Sequence, residues 1–100
     1  MPLERGGTNM ARFLIEVTHS PDQLECARVV DVFLKTGSHW VTHADWGCKD
    51  NDHRSWVIVD VETKDEARLV LPPGFRSKAK ITKLNRFTTE EINSVLSAHQ

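Results

Sequence analysis

The chain predicts an α+β domain built on a split βαβ plan, with a four-stranded antiparallel sheet in the order βαββαβ and one extra C-terminal helix. Three observations lead there. RFLIEV and WVIVDV alternate or run apolar as strands do. Three Ser/Thr-x-x-Glu/Gln boxes, at Ser20, Thr63 and Thr88, mark helix starts. Turn-forming clusters, KDND and PPG, separate the periodic segments.

Taken in order, Arg12 to Val17 is the first strand, with Phe13, Ile15 and Val17 on one face and Arg12, Leu14 and Glu16 on the other. Ser20 then opens a helix, with Pro21 at its first position and Gln23 completing the capping box. Leu24, Ala27, Val30, Phe33 and Leu34 recur at helical spacing, and Gly37 is the expected C-cap. Ser38 to Trp46 and Arg54 to Val61 read as a second and third strand, joined as a hairpin through Lys49-Asp50-Asn51-Asp52. Thr63 and Glu66 start a short helix through Ala67, Val70 and Leu71, which Pro72-Pro73-Gly74 stops. Lys78 to Leu84 is the fourth strand. Thr88 and Glu91 open a last helix with Ile92, Val95 and Leu96 on its apolar face. With short links and right-handed crossovers this order is the ferredoxin-like arrangement.

One hundred residues suit a single domain. Residues 1–10, MPLERGGTNM, read as a polar, flexible leader, with residues 11–100 as the folded unit and Met10 as an alternative start. The formal net charge of −1 argues against a nucleic-acid partner. No apolar run approaches the roughly 18 residues of a membrane span. Without an export signal, and with only two cysteines, the expectation is a reducing cytoplasm and free thiols. A Cys26–Cys48 disulfide is the alternative.

Strand parity assigns faces. The helices should cover Phe13, Ile15, Val17, Val57, Val59, Val61, Ala79 and Ile81. The opposite face then carries Arg12, Leu14, Glu16, Trp56, Ile58, Asp60, Lys80, Thr82 and Leu84. Large apolar groups there suit sheet-to-sheet pairing of two subunits, with Trp56 as an interface anchor. In element order and face polarity the chain resembles the dimeric α/β-barrel superfamily, over roughly Ala11 to Phe87. The segments SHWVTHADWGCKDNDH and LPPGFRSKAKITKLNRFT also resemble a small bacterial family without established function. The resemblance implies a homodimeric barrel. Its superfamily includes muconolactone isomerases, stress-responsive proteins, antibiotic-biosynthesis monooxygenases and metal-binding proteins, so fold does not select a function.

The chemistry concentrates between Gly37 and Trp56. Three of the five histidines and one of the two cysteines fall within 15 positions, beside all three tryptophans. Imidazole, thiolate and carboxylate are the groups that hold transition metals or move protons. As strand residues, His39 and His43 would be about 13 Å apart, too far to share one ion. His43 and Asp45 share a face. Cys48 and His53 become cross-strand neighbours, and a bulge at Gly47 would bring all four together. The expected metal set is therefore His43, Asp45, Cys48 and His53, with His39 as a further contributor. Zinc leads among the candidate ions, ahead of copper or nickel.

The alternative is a small-molecule or catalytic pocket, of isomerase or cofactor-free oxygenase type. In it His43 and Asp45 would act as acid–base groups, Trp40, Trp46 and Trp56 as walls, and Arg12, Arg76 or Lys80 as anion holders. Several residues have plainer roles. Asp50, Asn51 and Asp52 form a turn, Cys26 is a small core-side residue, and His19 and His99 sit on the surface near element ends. Lys78, Lys80, Lys83 and Arg86 line a solvated edge.

Overall fold

A computed structural model describes residues 10–36 and 38–99. Most of the leader, and Gly37 as helix cap, lie outside the described residues. The elements are β1 (Ala11–Thr18), α1 (Gln23–Lys35), β2 (Asp45–Trp46), β3 (Arg54–Val61), α2 (Lys64–Leu69), β4 (Lys80–Leu84) and α3 (Thr89–Ala98). Short 3-10 turns cover Val41–His43, Cys48–Asp50 and Pro73–Lys78. The strands form one antiparallel sheet in the order β2-β3-β1-β4.

The core lies on the face that parity assigns to the helices. Phe13, Ile15, Val17, Val57, Val59 and Ile81 are buried from the sheet, and Phe33, Val41, Ala67 and Leu71 meet them from outside it. Phe33 stacks edge-on against Trp46 and Phe75, with ring centroids 5.0 and 5.2 Å apart. On the other face an Arg12–Asp60 ion pair and exposed Ile58 flank half-buried Leu14, Trp56, Thr82 and Leu84.

Four local expectations need correction. The segment Ser38–Trp46 is not a strand along its length. Its middle winds into the Val41–His43 turn, and only Asp45 and Trp46 pair with β3. Side chains drive this. Thr42 Oγ1 donates to Ser38 O (3.0 Å) and His43 Nδ1 to His39 O (2.8 Å), so local carbonyls are satisfied without a ladder.

The cap of α1 is Asp22, not Ser20. Its carboxylate accepts from the amides of Leu24 and Glu25, both at 3.0 Å, while Ser20 Oγ accepts from Asp22 N. The inward stripe of α1 is rotated as well. Cys26, Val29, Val30 and Phe33 turn toward the sheet, and Leu24 and Leu34 are exposed.

The fourth strand begins at Lys80 rather than Lys78, because residues Pro73–Lys78 stay coiled. Arg76 holds that coil, donating from Nε to Leu71 O at 3.0 Å and through its other nitrogen to Leu69 O. Arg68 donates to the carbonyls of Arg76 and Ala79. The box at Thr88 is complete in both directions, yet α3 has no buried residue.

Candidate metal centre

The β1–β3 ladder pairs residues from Ala11–Val61 to Thr18–Arg54. The next pair in that register is His19 and His53, and His19 N donates to His53 O at 2.9 Å. Both side chains fall on the helix-covered side, as parity with Val17 and Ser55 requires. Their rings meet edge to face with centroids 5.8 Å apart, and Trp46 closes on His19 at 5.7 Å.

Two thiols arrive from different directions. Cys26 stands in the first turns of α1, where its amide donates to Asp22 O. Cys48 starts the 3-10 turn after Gly47. That loop is tight: Gly47 O accepts from the amides of Asp50 and Asp52, and Asn51 takes the left-handed conformation at φ 61°. A β-carbon on Gly47 would lie 2.6 Å from Asp52 O and 2.8 Å from the Trp56 ring, so this position must lack one.

Together these segments bring His19, Cys26, Cys48 and His53 to one point. One donor atom from each lies within 4.8 Å of all the others. His19 Nε2 is 3.3 Å from Cys26 Sγ and 3.1 Å from Cys48 Sγ, and the two sulfurs are 3.1 Å apart. All four residues are half-buried. A tetrahedral zinc ion, with bonds of about 2.3 Å to sulfur and 2.0 Å to nitrogen, needs donor separations of roughly 3.3–3.8 Å. The three short separations, His19 to each sulfur and sulfur to sulfur, would open by about half an ångström to admit it. Two thiolates and two neutral imidazoles would also balance the charge of a divalent ion.

The electrostatics of the cluster are compatible with a metal ion. Burial, and then the neighbouring His53, lower the pKa of His19 and keep its ring neutral, the form that ligates. Burial, followed by the hydrogen bond with Cys26, pushes the Cys48 thiol up to about 11. A bound cation would reverse that preference by favouring the thiolate. Nδ1 of His19 and Nδ1 of His53 are buried without a hydrogen-bond partner among the described residues. Unpaired buried nitrogens are costly unless something else engages the ring.

The other sequence candidates do not gather here. Gly47 does not reverse the strand faces. Cys48 stays on the side of Trp46, and Asp45 faces outward opposite Trp56. His43 is exposed with Nδ1 committed to His39 O, while its ring lies 4.8 Å from that of His39. The helical turn therefore makes neighbours of a pair that strand geometry had separated. Arg12, Trp56 and Lys80 lie on the open sheet face, Trp40 and Trp46 pack against the core, and Arg76 is tied to carbonyls near the end of α2. Trp40 and Arg76 line one groove, and the other four candidates are not among its described lining residues. Asp52 is held bidentately by Arg54 at 2.6 and 2.7 Å, which lowers its pKa.

Sequence reasoning missed His19 and Cys26. The signal for Cys26 was its place seven residues before Phe33 on the inward stripe. For His19 it was the β1–β3 register, which no single segment contains. No protein-family model, curated protein or solved structure matches the chain.

Proposed function

We propose that this protein binds one divalent transition metal, zinc first among them, through His19, Cys26, Cys48 and His53. The observation that carries this reading is the convergence of four donor atoms from the residue after β1, from α1, from the Cys48 turn and from the approach to β3. Four protein ligands leave no open position, so the ion's role is to hold these segments together rather than to activate water. In a domain of this size such a clamp adds directly to folding energy. Copper and nickel suit the thiolate–imidazole set less well than zinc.

The test is elemental analysis of tag-free protein purified without chelators, beside Cys26→Ser and Cys48→Ser. One zinc per chain in the wild type and little in either variant supports the reading. Metal-free protein that takes up no zinc on titration overturns it.

The strand order, with helices following β1 and β3, supports the ferredoxin-like arrangement. We further propose a homodimer through the open sheet face, supported by Leu14, Trp56, Ile58 and Leu84 lying on its uncovered side. Ile58→Glu should convert a dimer to a monomer in sedimentation, and a monomeric wild type would refute the pairing. No described helix is long and apolar enough to cross a membrane. A reducing cytoplasm is the compartment in which both thiols would stay available to a metal.

A further inference from the structure

Cys26 and Cys48 are the chain's two cysteines, 22 positions apart in sequence, and both are free thiols. Their sulfurs lie 3.1 Å apart, with Cys26 Sγ donating to Cys48 Sγ. Both also line a groove of about 590 Å³ between α1 and the β2 segment, whose lining includes Ala27, Val30 and Trp46 with the polar Gln23 and Lys49. His19 and His53 are not among the groove's lining residues. A small solute entering the groove therefore meets sulfur first.

We infer that this thiol pair is a site of oxidation by hydroperoxides, which joins Cys26 to Cys48 and expels the metal. One thiolate attacks the peroxide, the O–O bond breaks, and the sulfur becomes a sulfenic acid as an alcohol or water leaves. The second thiolate then attacks that sulfur, forming the S–S bond and releasing water. The two sulfurs supply two electrons in all. From the metal-loaded form, two protons are taken up and the divalent cation leaves. From the metal-free form, two thiols and one hydroperoxide give a disulfide, water and an alcohol (a second water for hydrogen peroxide). The sulfurs need approach by only about 1 Å to reach bonding distance. Afterwards His19 and His53 remain as the cluster's free donors, and two imidazoles do not complete a four-ligand site. The metal-release half of this inference rests on the proposed metal site; the pairing of the thiols stands on their own geometry.

The experiment treats zinc-loaded and metal-free wild-type protein with hydrogen peroxide at about one equivalent. Free thiols, released zinc, intact mass and non-reducing electrophoresis are read together. The expected result is loss of both thiols, one zinc released per chain, and a monomeric product two hydrogens lighter than the reduced metal-free chain. A thiol reductant should then restore binding of one zinc. A mass gain from sulfinic acid, a cross-linked dimer, or thiol loss with zinc retained overturns the inference. If the metal-free chain forms the internal disulfide but reduced protein never takes up zinc, the metal site fails and the thiol pair stands. If zinc binds and the thiols do not pair, the reverse holds.

Discussion

His19 and His53 face one another one step beyond the last pair of the β1–β3 ladder, their backbones joined by a 2.9 Å hydrogen bond. The candidate metal centre is thus an extension of the sheet. Register alone delivers two of its four ligands, and Cys26 and Cys48 arrive from flanking helical turns.

This placement separates the ligands from their sequence neighbours. His19→Ala should lower zinc affinity by at least about 100-fold, more than typical losses from outer-sphere changes. His43→Ala and Asp45→Asn should retain one zinc per chain, because neither side chain belongs to the cluster. Competition titration with a chromogenic chelator reads the difference. Equal losses in His19→Ala and His43→Ala would contradict the geometry.

Metal affinity should rise with pH. The Cys48 thiol holds its proton up to about 11 in the metal-free protein, so binding expels that proton throughout the neutral range. Apparent affinity should gain at least about tenfold per pH unit between pH 7 and 9. Titrations at three pH values check this, and a flat profile would exclude Cys48 as a thiolate ligand.

The metal-free fold should weaken in mild acid. The folded-state pKa of His19 is lowered, first by burial and then by His53. As pH falls through about 6.5, the unfolded chain takes up the proton first, so stability declines from there down to the folded-state value. Chemical denaturation of wild type and His19→Gln, both metal-free, should show a shallower acid slope in the variant.

Gly47→Ala should destabilise the fold by about 1–3 kcal/mol through overpacking, since the added carbon meets the Asp52 carbonyl and the Trp56 ring. Shifting Asp52 also moves the approach to His53, so zinc affinity should fall with stability. Paired denaturation and zinc titrations would detect both losses.

Ser55→Ala should do the opposite. Ser55 is 1 % exposed, and its hydroxyl lacks a partner among the described residues. Removing an unpaired buried hydroxyl should stabilise by about 1 kcal/mol, or roughly 4–8 °C in Tm. An unchanged or lower Tm would mean that the hydroxyl is satisfied in solution.

Much of the architecture was legible locally. Strand alternation placed Phe13, Ile15 and Val17 inside with Val57 and Val59, and the Thr63 and Thr88 boxes located two helix starts. These features depend on neighbours two to four residues apart, which a sequence displays directly. The Ser38–Trp46 reading failed because Thr42 and His43 have competing local hydrogen bonds that composition does not rank.

By itself the sequence determined most element types outside Ser38–Trp46, the buried face of the sheet, and the neighbourhood of Cys48 and His53. Only the tertiary structure decided the rest of the cluster. His19 reaches His53 through a register joining residues 34 positions apart, and Cys26 joins them because α1 turns that side inward. Local pattern fixes the direction of a side chain relative to its own strand or helix. Which other segment it meets depends on how separate elements align, and that is settled by packing of the whole core.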